Sequence, residues 1–210
     1  EQWRRQVADS MREVAVLLTA DAALQQVLDR ILVEMQRTLP CDYAAIWLLK
    51  PSEEEDPDAE SGLYLAAVRA SDEFQEQTHD LGNDQLEEIF LSCSAEQIDR
   101  DWLARSLQVD GPKIYAPGDP IDPMAICLSF PLDHSEISTP LRVAEQSFGL
   151  LHLGHRTPGR YGVESQLMTA TFASYAAVAI ENTRLYEAAH DQAWISTVLL
   201  EVAEATQSLA

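Results

Sequence analysis

The chain predicts an α+β fold: an antiparallel sheet with the N- and C-terminal helices on one face and short helices and loops over the other. Three observations predict it. All eight Gly and all ten Pro lie between Pro40 and Gly162, so the first 39 residues and the last 48 hold no strong helix breaker. Runs rich in Leu, Ile, Val and aromatic residues fill the interval at strand length. The connection between the first two runs, Pro51 to Gly62, is too polar to pack and too short for a parallel crossover, which makes it a hairpin loop and the sheet antiparallel.

Taken in order, residues 1–18 form a first helix, with Trp3, Val7, Ser10, Val14 and Leu17 along one stripe before Thr19 or Asp21 offers an N-cap and a break. Strands follow at Tyr43 to Lys50 and Leu63 to Ala70. Helical patterns at Asp84 to Ser92 and Ala95 to Leu107 then separate these from a short strand around Ile114 and longer ones at Met124 to Leu132 and Ser147 to His155. Residues 163 to 210 close the chain as one helix. At 1.5 Å per residue it runs ~72 Å, against ~40 Å for a compact domain of ~150 residues, so its last part leaves the domain. The expected division is a helix over 1–18, a domain over 19–188 and a linker helix over 189–210 that opens whatever follows. The start at Glu1 without Met and the stop inside an apolar pattern read as a piece of a longer protein.

Composition narrows the function. With 14 Lys plus Arg against 35 Asp plus Glu, the formal charge is -21, and the clustered basic residues of a nucleic-acid face are missing. Apolar runs reach about eight residues, short of the ~18 to 20 that span a bilayer, so no membrane partner is expected. Three Cys, at 41, 93 and 127, have no C-x-x-C spacing and suit a reducing, cytoplasmic compartment.

Along the last helix, alternating steps of three and four give Leu185, Ala188, Gln192, Ile195, Leu199, Val202, Thr206 and Leu209, six of them apolar. A stripe this narrow reads as a coiled-coil seam, with Leu185, Ile195, Leu199 and Val202 facing a second copy in a homodimer. The plainer alternatives are a helix folded back on its own domain and a core stripe of a following domain.

From Phe148 the chain reads Phe-Gly-Leu-Leu-His-Leu-Gly-His, then Tyr161-Gly-Val-Glu-Ser-Gln-Leu, then Ala179-Ile-Glu-Asn-Thr-Arg-Leu-Tyr186. This resembles the closing segment of GAF domains. Upstream, Cys41-Asp-Tyr-Ala-Ala-Ile-Trp-Leu-Leu is similar to the family's first strand, and Ile126-Cys-Leu-Ser-Phe-Pro-Leu132 to its strand ending in Pro-Leu. The likeness covers about residues 20 to 188. It implies a non-catalytic sensory module of a bacterial signalling protein, whose output, such as a histidine kinase, cyclase or phosphatase, belongs to the same polypeptide but not to this segment. Trp194 to Leu209 looks like the opening helix of a further such domain, as Met11 to Leu28 does for this one.

In the family, the stretch matching residues 71 to 123 encloses the ligand pocket. Phe74, Phe90, Trp102 and Tyr115, with Cys127, are the candidate lining for a small-molecule ligand, and the same aromatics would serve equally as core. Cyclic nucleotide is disfavoured. The family's Asn-Lys and Phe-x-x-x-Asp-Glu elements are replaced by Gly154-His155, Tyr161 and Ser165-Gln166, and residues 51 to 101 hold 16 acids and 2 bases, a net of -14 that repels phosphate. A covalent bilin is disfavoured because none of the three Cys precedes a His, and an iron-sulfur cluster because four cysteine ligands are needed. His152 and His155, three apart on a strand, point to opposite faces and do not converge on one metal, whereas haem on a lone axial His leaves no spacing to check. The six carboxylates between Glu53 and Glu60 lack the EF-hand pattern and read as a solvated loop tip. Two other classes compete. One is a thiol enzyme like free methionine sulfoxide reductase using Cys93 and Cys127, the other a structural dimerisation spacer.

Overall fold

In this computed structural model, residues 23–50, 63–77, 88, 105–115, 119 and 130–207 are described, with 75–77, 191 and 198–207 described through their backbone only. The predicted helix over 1–18, the loop 51–62 and most of the segment between 78 and 129 lie outside the described residues. Helix α1, Leu24–Thr38, buries Val27, Leu28, Ile31, Leu32 and Met35, apolar positions spaced three and four apart. Its N-cap position is Ala23, which offers no side-chain acceptor. The first turn closes instead on the Ala23 carbonyl, which accepts from the Gln26 and Val27 amides at 2.9 and 3.3 Å. Thr19 and Asp21, the predicted caps, lie outside the described residues.

Strands β1 (Tyr43–Leu49), β2 (Leu63–Ala70), β3 (Lys113–Tyr115), β4 (Ser135–Val143) and β5 (Gln146–His155) form one sheet in the order β2-β1-β5-β4-β3. Every pairing is antiparallel, and β1 with β2 is the predicted hairpin. A short helix, α2 (Asp72–Gln77), follows β2, and α3 (Val163–Gln207) closes the chain. Of the two helical patterns expected between β2 and β3, Glu88 and residues 105–108 are described, and both are helical.

Of the strand foreseen over Met124 to Leu132, residues 124–129 lie outside the described residues, and its end is not strand, because residues 131–134 make a turn in which the His134 amide donates to the Pro131 carbonyl at 3.1 Å. A strand that was not foreseen follows this turn, as β4. Its sequence, Ser-Glu-Ile-Ser-Thr-Pro-Leu-Arg-Val, hides the pattern, since its polar residues face a buried cluster instead of solvent and Pro140 reads as a breaker. Pro140 is tolerated because β3 pairs only with Glu136 to Ser138, which leaves β4 at the sheet edge beyond them.

Register sorts the two faces. Ala44, Leu153, Ile137 and Ile114 form one row and Ile46, Leu151 and Thr139 the next. These apolar rows join α1 and the buried positions of α3, including Met168, Phe172, Ala176 and Ile180, in the main core. The terminal helices therefore share one face, as predicted. A register shift between Leu141 and Arg142 leaves Phe148 without a cross-strand partner. That bulge turns Phe148 toward the helix side, where its ring lies 5.1 Å beneath the Arg184 guanidinium. Gly149 sits so close to β1 that any Cβ there would collide with the Trp47 carbonyl.

Candidate functional site

The other face of the sheet carries a cluster of buried polar and titratable side chains. Its rows are Ala70, Tyr43, Gly154, Glu136 and Tyr115, then Val68, Ala45, His152, Ser138 and Lys113, then Leu65, Trp47, Leu150 and Pro140. Alternation along β4 and β5 thus sets Glu136, Ser138 and His152 side by side. Glu136 and His152 are 2 and 0% exposed. Nε2 of His152 approaches Oε1 of Glu136 to 3.0 Å, a contact of hydrogen-bond length with poor alignment. Oε2 of the same carboxylate lies 3.4 Å from Nε2 of His134, whose Nδ1 is 2.8 Å from the Pro131 carbonyl. Burial alone would raise Glu136. The charge of His152, the hydrogen bonds of His134 and His152 and the charge of His134 outweigh it and hold the carboxyl below its ordinary 4.5.

Beside this carboxylate runs a chain of hydroxyls. Tyr115 Oη lies 3.1 Å from Ser138 Oγ and 3.2 Å from Ser106 Oγ. Arg142 fastens the same segment, donating through its guanidinium to the Leu107 carbonyl and through Nε to Ser147 Oγ at 2.9 Å, with Asp110 at 3.7 Å. On the other side stand aromatic rings. Tyr43 meets Phe130 and His152 edge-on at 5.5 and 5.6 Å, and Phe130 meets Phe74 and His134 at 5.9 and 5.7 Å. Gly154 makes room for this arrangement, because the Tyr43 ring lies where its Cβ would be. At the rim, Asp42 accepts from the Arg156 amide at 2.7 Å and its Nε at 3.1 Å, and the guanidinium lies 4.9 Å over Phe74.

Of the predicted lining, Phe74 and Tyr115 come to this face, one in its aromatic cluster and one in its hydroxyl chain. Phe90, Trp102 and Cys127 lie outside the described residues, as does Cys93. His152 and His155 take opposite faces as expected, the first buried and the second half-exposed. His155 is lowered by burial, against the attraction of Asp42, with Arg160 and Arg156 adding to the lowering. Glu136, His134, Ser138 and Arg156 were not singled out from sequence. The signal available was His134-Ser-Glu136 with Ser138 two further on, an alternation that places polar groups on one strand face. Cys41 is on the helix side, its thiol pushed up to about 12 by burial and by Asp42, partly offset by Gln36. A cleft of about 250 Å³ opens elsewhere, between α1 and the edge strand β2, lined by Gln25, Asp29, Leu32 and residues 65–69. Its lining includes none of His134, Glu136, Ser138 and His152.

On α3 the seam positions Leu185 and Ile195 are 62 and 51% exposed, while the side chains of Leu199 and Val202 lie outside the described residues. Tyr186 and Trp194 are also exposed, and Trp194 sits about 180° around the helix from Leu185, off the seam. Among the described residues no helix is long and apolar enough to cross a membrane, and no group of His, Cys, Asp and Glu is arranged to hold a metal ion.

The fold recurs in solved structures. The phycoerythrobilin-bound GAF domain of a cyanobacterial phytochrome superposes with a TM-score of 0.59 at 14% identity, over 86% of this chain and 96% of that one. The GAF domain of a phosphoenolpyruvate-protein phosphotransferase from Coxiella burnetii gives 0.54 at 16%, over 88% and 98%. The GAF domain/HD domain protein from Geobacter sulfurreducens gives 0.56 at 13%, over 80% and 98%. No curated protein is significantly similar in sequence. The GAF domain family model matches residues 21–181, and with the sheet order and the helix pair above, the chain belongs to the GAF domain family.

Proposed function

We propose that the chain is a non-catalytic sensory module that answers a small ligand at the sheet face opposite α1 and α3 and passes its state along α3 to an output domain in the same polypeptide. The observation that carries this reading is the continuity of α3. Its 45 residues first pack behind β4 and β5, the strands that bear Glu136 and His152, and from Leu185 to Thr197 every described side chain is exposed. A shift of the strands is therefore delivered to the projecting part of one helix. Signalling then means two packings of α3, populated according to their differential affinity for the ligand.

Leu185 and Ile195 on a projecting helix each forgo ~1.5 to 3 kcal/mol of burial when left in water. A second copy about a two-fold axis is the simplest cover, so the working unit is a cytoplasmic homodimer. The bilin of the phytochrome relative is not carried over, because none of the three Cys precedes a His, and Cys41 packs away from the Glu136 face. Native mass spectrometry of the chain tests the reading. The expected result is a mass of two chains, with any retained small molecule released on unfolding; a monomer with nothing bound contradicts it.

A further inference from the structure

The ring of His134 is held between two oxygens, and this fixes its protons. The Pro131 carbonyl can only accept, so Nδ1, 2.8 Å away, carries a proton. A neutral ring then has its lone pair on Nε2, and Nε2 faces Oε2 of Glu136 at 3.4 Å. An ionised carboxylate is also acceptor-only, so two lone pairs would oppose each other in a place where the two side chains are 6 and 2% exposed. Only a second ring proton, making an imidazolium, turns that contact into an attraction. His152, 3.0 Å from the other carboxylate oxygen, holds Glu136 ionised and so keeps an acceptor in front of Nε2 of His134.

We propose that His134 and Glu136 form a proton-operated latch on the turn 131–134. With the proton on Nε2, the imidazolium ties the turn to β4. When the proton leaves for solvent, the carboxylate and the bare nitrogen repel, and the turn loses its anchor. The turn begins next to Phe130, whose ring packs on Tyr43, Phe74 and His134 together. Release of the latch therefore loosens the aromatic cover over the sheet face opposite α1 and α3, and the domain answers pH whether or not it relays a ligand.

Other titratable groups surround the pair. His152 faces it from β5 and Tyr43 stands on β1 against His152. Tyr161, ahead of α3, feels the Glu136 charge, and Arg156, beyond β5, is held by Asp42 over Phe74. Glu136 is the acid in contact with both imidazoles, and it is the group to change.

The test is made on the whole chain, by long-range nitrogen NMR of the imidazoles together with amide hydrogen exchange across residues 132–136, followed as pH is raised. At the acid end both His134 nitrogens are expected to be protonated. As Nε2 loses its proton, protection of these amides, corrected for intrinsic base catalysis, should drop at least tenfold. Glu136→Gln removes the facing charge and should lower the proton affinity of His134 at least tenfold. Should that variant fail to fold, His134→Gln serves, with exchange at 132–136 expected to be level in pH. The proposal is overturned if His134 is protonated on Nδ1 alone throughout, if Glu136→Gln leaves its titration in place, or if His134→Gln keeps the wild-type pH step.

Discussion

Gly154→Ala tests the packing that builds the sheet face opposite α1 and α3. The new methyl would enter the space of the Tyr43 ring, closest to Cε1, with Cζ at 2.6 Å and Oη at 2.8 Å, where carbon contacts settle at about 3.5 to 4.0 Å. The ring must therefore yield by more than about 1 Å. It has nowhere to go: Tyr43 is fully buried, with Phe130 and His152 edge-on at 5.5 and 5.6 Å. Overpacking of this kind costs ~1 to 3 kcal/mol. Replacing a strand glycine returns ~0.5 to 1 kcal/mol of backbone entropy. The net expectation is a loss of about 1 to 2 kcal/mol, or a melting point lower by roughly 2 to 8 °C for a chain of this size. Gly111→Ala is the control, because nothing lies within 4 Å of a Cβ there. Urea denaturation followed by far-UV circular dichroism reads both. Pairing Gly154→Ala with Tyr43→Leu should recover part of the loss, giving a coupling of about 1 kcal/mol. A Gly154→Ala variant as stable as wild type, or a control that falls as far, would refute the reasoning.

Further outcomes follow from named contacts. Cys41, with its thiol raised from 9.0 to about 12, should stay unmodified by a thiol reagent at pH 8 until denaturant is added. Because its folded value lies above the unfolded one, its contribution is intact below about 9 and is lost as pH rises through 12, so Cys41→Ala should flatten the alkaline limb of a stability profile. Glu136 has the opposite sign. Its folded value is depressed, so its contribution is present above 4.5 and lost as pH falls through the folded value, and Glu136→Gln should remove that part of the acid limb. Asp42→Ala unties the Arg156 amide and side chain and should cost ~1 to 3 kcal/mol by equilibrium unfolding, with a value under 0.5 arguing against the rim described.

The frame of the fold was legible because its signals are local. The breaker-free ends gave the helices, the polar loop after Lys50 gave the hairpin, and the length of the last helix gave the projection seen from Leu185 onward. Strand β4 was not legible. Ser135, Glu136 and Ser138 are polar yet buried, because their partners come from other parts of the chain, Thr157 and Arg160 for Ser135, His134 and His152 for Glu136 and Tyr115 for Ser138, which a reading of single-strand hydrophobicity cannot detect. Phe148 shows the same limit: its strand was evident, but the bulge that turns its ring to the helix side depends on pairing with β4. Of the candidate site, Phe74 and Tyr115 were legible as aromatics of the middle segment, whereas His134, Glu136 and Arg156 gain meaning only when separate strands and turns bring them together. On the helix, the spacing rule selected Leu185 and Ile195 and passed over Trp194, whose exposure has no counterpart in a heptad count.

The relay through α3 is the central claim, and the mass of the particle in solution tests it most directly. Light scattering on the purified chain at tens of micromolar should give a dimer, and Leu185→Asp with Ile195→Asp should give a monomer whose core unfolds as the wild type does, since both residues stand 62 and 51% exposed and add nothing to that core. A wild-type chain that scatters as a monomer, or a double variant that remains a dimer or unfolds outright, would contradict the account.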